Sequence, residues 1–191
     1  GVFDPINFKK IRQFQKKYPT KKVHVDGGVN GEVSFILRNM GVHSSVSGSF
    51  LFNAPSVGQA LMDLTKREIE SQFKIKDFMV EREECPILDM CDLTLESALR
   101  NIEDGNLGFS LIEENGKLKG IISNADVRKA LLRNISDLSR LQATELINET
   151  PITINENLTV NNMLQLVRDQ SISLMYLPVI SDNGKATGVV S

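Results

Sequence analysis

The stretch ECPILDMCDLTLESALRNI, residues 84–102, returns later in the chain as ETPITINENLTVNNMLQLV, residues 149–167. A second pair of similar stretches follows: NGKLKGIIS, residues 115–123, and NGKATGVVS, residues 183–191. Proline, threonine, leucine, asparagine and glycine recur at corresponding positions in the two copies. An internal repeat of this length predicts two copies of one supersecondary unit that pack together, because neither copy alone would bury its apolar face well.

Each copy has the same predicted order of elements: a short extended segment, an amphipathic helix, a strand, a tight turn and a second strand. The turns are Asn115-Gly116 and Asn183-Gly184. Asn-Gly is typical of two-residue hairpin turns, in which both central residues take positive φ. We therefore expect an antiparallel hairpin in each copy.

The most specific segment of the first copy is GKLKGIISNADVRKAL, residues 116–131. It resembles the cystathionine-β-synthase (CBS) domain family, whose strand ends in Gly-x-x-Thr/Ser and is followed by an Asp at a helix start. The resemblance implies a nucleotide site at Ile87, Ser123 and Asp126. A first-turn Asp can accept ribose hydroxyls, and nearby N–H groups can receive a phosphate. The alternative is that Ser123 is only an N-cap and Asp126 a favourable first-turn acid.

The two copies together resemble a tandem CBS pair, or Bateman module, and are most similar to the pairs that follow the sugar-isomerase domain in arabinose-5-phosphate isomerases. This resemblance implies a regulatory ligand that is an adenine nucleotide or a nucleotide-sugar. It also implies a homodimer formed through the CBS pairs. The second copy reaches Ser191, where the matching Asp would follow, so its ligand site is either absent or lies past the given sequence.

Residues 1–54 alternate helix and strand, which favours parallel strands joined by crossover helices. Within them, VHVDGGVN (residues 23–30) and SVSGSFLF (residues 45–52) resemble the seventh- and eighth-strand motifs of ribulose-phosphate 3-epimerase, a TIM barrel. The predicted fold class is therefore α/β, with a C-terminal fragment of a (β/α)8 barrel followed by an α+β tandem CBS module.

The epimerase resemblance also implies roles for individual residues. Asp26 would be one of two acid/base groups on opposite faces of an enediolate, and a ligand of a divalent metal (Zn, Fe, Mn or Co). Gly27, Gly28, Gly48 and Ser49 would hold the phosphate of the sugar phosphate, because glycines permit close backbone approach. The family's partner Asp and metal-binding histidines belong to earlier strands, so we predict no epimerase activity for this chain alone.

Two functions remain open at this point. The first is a fragment of a pentulose-5-phosphate 3-epimerase, an isomerase of carbohydrate metabolism, fused to a nucleotide-sensing CBS pair. The second is a non-catalytic nucleotide- or nucleotide-sugar-binding CBS module with a vestigial barrel segment. The predicted organisation is a partial barrel at 1–54, a linker helix at 55–75, a first CBS repeat at 76–142 and a truncated second repeat at 143–191.

Composition excludes several classes of partner. The 191 residues carry a net charge of -2 and are 41% hydrophobic, without a long basic run. We therefore expect no nucleic acid and no membrane among the partners. Cys85 and Cys91 have no cysteine cluster around them, which favours reduced thiols in a cytoplasmic protein. The chain begins without Met, and we expect it to be a fragment of a longer protein.

Overall fold

The computed structural model describes residues 1–65, 71–170 and 174–191. The chain divides into two compact units. Unit 1 comprises Gly1–Phe78, Asn157–Leu174 and Ser191, and unit 2 comprises Met79–Glu156 and Met175–Val190. In the described residues, no helix is both long enough and apolar enough to cross a bilayer.

Helices dominate unit 1, with one small sheet. Its elements are α1 (Ile6–Lys17), β1 (His24–Asp26), α2 (Gly31–Asn39), β2 (Ser44–Val46), α3 (Ser49–Phe52), α4 (Val57–Thr65) and α5 (Ile75–Phe78), and, from the second repeat, a helix at Val160–Arg168.

The alternation predicted for residues 1–54 is confirmed by the order α1, β1, α2, β2. β1 and β2 are parallel, with Asp26 opposite Val46, and α2 connects them. α2 buries Val33, Ile36 and Leu37, and Gly41 follows its end with a φ of 73°. A left-handed residue just past a helix is favourable for glycine, which has no Cβ to clash.

A barrel is not shown. In the described part of the chain, β1 and β2 form a two-stranded sheet without further strands. Every residue of β2 is exposed, and Val46 keeps 53% of its surface accessible. Strands in a barrel have a neighbour on both sides, and all of them share one shear. The predicted barrel fragment therefore amounts here to one parallel β-α-β unit.

The linker predicted as a helix over 55–75 is only partly helical. Its start is capped, because Ser56 Oγ accepts a hydrogen bond from the Gln59 amide at 3.3 Å. α4 then runs to Thr65, residues 66–70 lie outside the described residues, and residues 71–74 are not helical. The amides of Gln72 and Phe73 donate to the Glu32 carboxylate, at 2.7 Å and 3.0 Å, instead of to a helical carbonyl.

Unit 2 contains two similar sheets. Its elements are β3 (Val80–Glu81), β4 (Ile87–Asp89), α6 (Leu95–Gly105), β5 (Phe109–Glu114), β6 (Lys117–Ser123), α7 (Asn124–Arg133), β7 (Ile154–Asn155), β8 (Leu177–Ile180) and β9 (Ala186–Val190). The helix at Val160–Arg168, which belongs to unit 1, is labelled α8. One sheet has the order β4-β5-β6 and the other β3-β9-β8-β7. In each sheet a short strand pairs in parallel with the first strand of a hairpin, so the predicted repeat is confirmed.

The two hairpin turns differ. Asn115 and Gly116 have φ values of 52° and 73°, as the two-residue turn requires. In the second copy Gly184 alone has positive φ, at 82°. Asn183 instead uses its side chain, whose Oδ1 accepts hydrogen bonds from Ser181 Oγ and from the Lys185 amide. The prediction of positive φ at both central residues is thus confirmed for the first turn and wrong for the second.

In each sheet, a strand also pairs with a backbone segment that comes from the other repeat. β3, which precedes the first repeat's hairpin, pairs with β9 of the second, with Glu81 opposite Gly188. Asn148, which precedes the second repeat's hairpin, exchanges two hydrogen bonds with Ile121 of β6, at 2.9 Å and 3.1 Å. Glycine is required at both crossings, that is, at the two places where a segment of one repeat passes close to a strand of the other. A Cβ on Gly120 would lie 2.5 Å from the Asn148 carbonyl oxygen, and one on Gly188 would overlap the Val80 carbonyl oxygen.

An ion pair reinforces this exchange. Arg82, in the 3-10 turn after β3, binds the buried Glu113 carboxylate of β5 through both guanidinium Nη atoms, with Nη2 2.8 Å from Oε2. Arg82 Nη1 also donates to the Ala186 carbonyl of β9 at 2.9 Å. One side chain thus connects the central strand of the first repeat to a strand of the second.

We predict that Gly120→Ala and Gly188→Ala each lower the free energy of unfolding by about 1–3 kcal/mol, because the new methyl group meets backbone that cannot move independently. Urea unfolding monitored by circular dichroism measures the effect. Gly58→Ala in α4 is the control, since only Ser56 Oγ comes near its Cβ position, at 3.8 Å. Unchanged stability in both repeat variants would contradict a requirement for glycine at the crossings.

Candidate functional site

The three residues predicted to bind a nucleotide lie at one end of the β4-β5-β6 sheet, where strands begin or finish. β4 and β5 are parallel and both begin at this end, where the antiparallel β6 finishes. Ile87 is the first residue of β4, and Ser123 ends β6 opposite Phe109, the first residue of β5. Asp126 follows in the first turn of α7. The fold therefore brings Ile87, Ser123 and Asp126 to the same end of one sheet.

Ser123 and Asp126 form a reciprocal capping box. The Ser123 Oγ accepts a hydrogen bond from the Asp126 amide at 3.3 Å, and Asp126 Oδ2 accepts from the Ser123 amide at 3.0 Å and from Ser123 Oγ at 2.5 Å. The second carboxylate oxygen, Oδ1, lies 3.9 Å from Lys129 Nζ. The capping role left open by the sequence is thus observed, and Asp126 keeps 21% of its side chain exposed.

Apolar side chains of both repeats lie beside this end of the sheet. Alternate residues of a strand point to opposite faces, and one face of the sheet packs against α6 and α7. The other face buries Phe109, Leu111 and Ile121 against Ala186 and Val189 of β9. Ile87 packs against this second cluster, so it lies on the side where the two repeats meet.

The sequence analysis missed Gly108 and Tyr176. Gly108 has a φ of 78°, and its carbonyl accepts a hydrogen bond from the Asn124 amide at 3.1 Å. The Tyr176 ring packs on Phe109 with centroids 4.8 Å apart. Its hydroxyl lies 2.7 Å from the position a Gly108 Cβ would take. A signal was present, because the 68-residue spacing of the two Asn-Gly pairs also aligns Gly108 with Tyr176.

A groove of about 550 Å³ lies beside α7 and includes Asp126 of the candidate site. Asp126, Lys129 and Arg133 line one wall, and residues 144–150 line the other. The hydrogen bond from the Gln142 amide, followed by that from the Asn134 carboxamide, holds the pKa of Glu145 below its ordinary value. The groove therefore carries charges of both signs.

The residues assigned to sugar-phosphate chemistry lie in unit 1. Asp26 ends β1 and is exposed, and with Gly27 and Gly28 it lines an open groove of about 800 Å³. Gly28 also lines a cavity of about 300 Å³ together with Ser49. A Cβ on Gly28 would overlap the Phe3 backbone, so glycine is required there by the close passage of the N-terminal segment.

Gly48 precedes α3 without any atom near its Cβ position, and α3 itself is only four residues long. The structure thus places Gly28 and Ser49 at one cavity and Asp26 at a different groove, which Gly28 borders as well. The described residues contain no group of three or more His, Cys, Asp or Glu side chains that could hold a metal ion. Metal binding by Asp26 stays a prediction.

Sequence reasoning also missed Glu32, which is 1% exposed and binds the amides of residues 72 and 73. Phe73 also belongs to an aromatic cluster in which Phe8 contacts Phe3, Phe73 and Phe78. A buried carboxylate is stable when backbone N–H groups satisfy its oxygens. Glu32 therefore has a structural role in holding the segment after the linker.

Within the described residues, Cys85 and Cys91 form no disulfide, and their reduced state stays a prediction. Cys91 is exposed next to Asp89, whose Oδ1 accepts a hydrogen bond from the Cys91 amide at 3.0 Å. That amide lowers the pKa of Asp89. In turn, hydrogen bonding to Asp89, then burial and the charges of Asp89 and Asp92, raise the pKa of the Cys91 thiol.

The family model for the CBS domain matches residues 91–133 and 143–191. These two segments form a tandem CBS domain pair. Among curated proteins, the probable arabinose 5-phosphate isomerase of Haemophilus influenzae is 29% identical over 117 residues, which are 61% of this chain and 33% of that protein. The CBS part of the resemblance is therefore confirmed.

The cytoplasmic isoform of ribulose-phosphate 3-epimerase from Oryza sativa subsp. japonica is 33% identical over 72 residues, 38% of this chain and 32% of the rice enzyme. The chain thus spans about a third of the length of these two relatives. Among solved structures, the CBS domain pair of protein MJ0100, in complex with 5′-methylthioadenosine and S-adenosyl-L-methionine, is 26% identical, with a TM-score of 0.51. That match covers 62% of this chain and 89% of the MJ0100 chain.

We predict that alkylation of Cys91 by iodoacetamide has a pH midpoint above that of an ordinary thiol, about 8.5, because the thiolate is the nucleophile and Asp89 disfavours it. Asp89→Asn removes the charge and keeps an acceptor for the Cys91 amide, so the midpoint should fall. Rates are measured against pH in a Cys85→Ser background, with Asp104→Asn of α6 as the control. Equal midpoints in all three proteins would show that Asp89 does not set the reactivity of this thiol.

Proposed function

We propose that the CBS pair is a regulatory module that binds an adenosine-containing ligand where β6 runs into α7. The observation that carries the proposal is the convergence of Ile87, Ser123 and Asp126 at one end of the sheet, next to the apolar cluster shared by the repeats. The ligands of the MJ0100 CBS pair, 5′-methylthioadenosine and S-adenosyl-L-methionine, support an adenosine ligand here.

The chemistry of each group suits part of such a ligand. Asp126 Oδ1 is available to accept the ribose hydroxyls once it exchanges its 3.9 Å contact with the Lys129 ammonium. Ile87, which is only partly buried, offers an apolar surface for the base at the same end of the sheet. Binding keeps the capping box, because that uses the other carboxylate oxygen of Asp126.

The position of the site provides a route to regulation. The cluster behind it contains β5 and β6 of the first repeat and β9 of the second, so a ligand at this end of the sheet touches the packing between repeats. A ligand that prefers one arrangement of the repeats shifts the population toward it. The proposed homodimer is supported by exposed Leu99 of α6 and by Leu132 and Ile135 at the end of α7.

We expect residues 1–191 to bind adenosine in isothermal titration calorimetry, and Asp126→Asn to weaken binding 10-fold or more, because hydrogen bonds to a charged group contribute about 1.5–3 kcal/mol. The matched control is Asp137→Asn, an Asp that caps a 3-10 turn of the same unit and pairs with Arg140. Equal affinities in wild type and Asp126→Asn would refute the assignment of Asp126 to the ribose.

A second candidate function concerns residues 1–54, as part of a pentulose-5-phosphate 3-epimerase barrel in the natural protein. The observation in its favour is the 33% identity with the rice enzyme over 72 residues, together with the parallel β1-α2-β2 unit. In this proposal Asp26 is an acid/base group and a metal ligand, and Gly27, Gly28, Gly48 and Ser49 contact the phosphate. Asp26 is exposed at the end of β1, as a substrate-facing residue must be.

We expect residues 1–191 alone to show no interconversion of ribulose 5-phosphate and xylulose 5-phosphate. In the natural protein that carries this segment, Asp26→Asn should lower kcat by about 10²–10⁴-fold, the usual contribution of a general acid or base. Asp63→Asn in α4 is the control. Full activity of the Asp26 variant would exclude the acid/base role, and turnover by residues 1–191 would exclude the need for further barrel strands.

A further inference from the structure

We propose that Tyr176 makes the first-repeat site selective for adenosine ligands whose 5′ substituent is an uncharged thioether, and against 5′-phosphates such as AMP. The inference rests on the proposed function and deepens it, because it names the chemical class of the ligand. Tyr176 belongs to the second repeat but lies at the site of the first.

The position of Tyr176 follows from a difference between the two copies. Where the second copy has Tyr176, just before β8, the first copy has Gly108, just before β5. The tyrosine ring packs on Phe109 at 4.8 Å, and its hydroxyl enters the space that the missing Gly108 side chain leaves. The Asn124 carboxamide nitrogen borders the same space, 3.4 Å from the Cβ position of Gly108.

This placement puts a phenol next to the first residue of α7. Helix N-termini bind phosphates through their free amides and their positive end. Here the Asn124 amide donates to the Gly108 carbonyl, and the Asp126 amide donates to Ser123 Oγ. Two of the first three amides of α7 are therefore satisfied within the protein, and the hydroxyl of Tyr176 and the Asn124 side chain both lie next to the Cβ position of Gly108.

The nearby charges also disfavour a dianionic group. The Asp126 carboxylate lies in the first turn of α7, next to Ser123, and would repel a phosphate bound at this helix start. The Lys129 ammonium is 3.9 Å from Asp126 Oδ1, and its side chain is 64% exposed, so its charge is shared with that carboxylate and screened by water. An uncharged substituent avoids this repulsion.

The aromatic surface suits a thioether. Phe109 and Tyr176 form a tilted ring pair at an interplanar angle of 50°, with Phe109 buried and Tyr176 partly exposed. Thioether sulfur makes favourable contacts with aromatic rings, in particular at the ring edge. A 5′-methylthio group placed against Tyr176 would bury apolar surface, whereas a phosphate there would lose water without gaining a paired cation.

The test is calorimetric titration of residues 1–191 with 5′-methylthioadenosine and, separately, with AMP. We expect 5′-methylthioadenosine to bind at least 10-fold more tightly. In Tyr176→Leu, which keeps apolar volume against Phe109, the ratio of the two affinities should fall at least 5-fold, and Tyr176→Phe should retain most of the preference. Tyr18→Ala, which removes an exposed tyrosine of unit 1, is the control and should leave both affinities unchanged.

The outcomes separate the two proposals. Tighter binding of AMP than of 5′-methylthioadenosine by the wild-type chain would overturn the selectivity and leave the adenosine site intact. An unchanged ratio in a folded Tyr176→Leu variant would overturn the role of Tyr176. Binding of neither compound would refute the proposed function, and the inference would fall with it. The wild-type ratio decides the selectivity even if the leucine variant does not fold.

Discussion

Each repeat forms backbone hydrogen bonds with a segment of the other repeat, and the rest of unit 2 depends on this pairing. β3 pairs with β9, and Asn148 pairs with Ile121, so each sheet is finished by chain from the opposite copy. Open sheet edges leave N–H and C=O groups unpaired, and here the exchange satisfies them within one chain. The Arg82–Glu113 pair and the shared apolar cluster then hold the first copy against the second.

This arrangement explains why the candidate site lies at a sheet end and not inside one repeat. The end of the sheet where β4 and β5 begin and β6 finishes is closed on one side by the start of α7 and on the other by the apolar cluster shared with the second repeat. Asp126 belongs to the first copy and Tyr176 to the second. The proposed site thus combines residues of both copies, as expected when two copies bury a common face.

Much of this could be predicted from the sequence because it depends on local patterns. The alternation predicted for residues 1–54 corresponds to α1, β1, α2 and β2, and the amphipathic helix predicted in the first copy corresponds to α6. Asn-Gly marked the first hairpin, and the Ser-x-x-Asp spacing located the start of α7. The non-helical end of the linker could not be predicted, because it depends on Glu32, a residue 40 positions earlier in the chain. Tyr176 was missed for a similar reason, since its importance comes from a glycine in the other copy. Periodicity records which face of an element is apolar, and it does not record which distant group will meet that face.

The complementarity of Gly108 and Tyr176 has a consequence for how the two copies can change. One copy supplies an empty space and the other supplies the ring that fills it, so the halves are no longer interchangeable despite their common pattern. A chimaera built from two first copies would have glycine at both positions and a void between them. One built from two second copies would bring two tyrosines toward the same volume. After such a duplication, divergence at these two positions commits the halves to each other, and neither can be replaced by a copy of its neighbour.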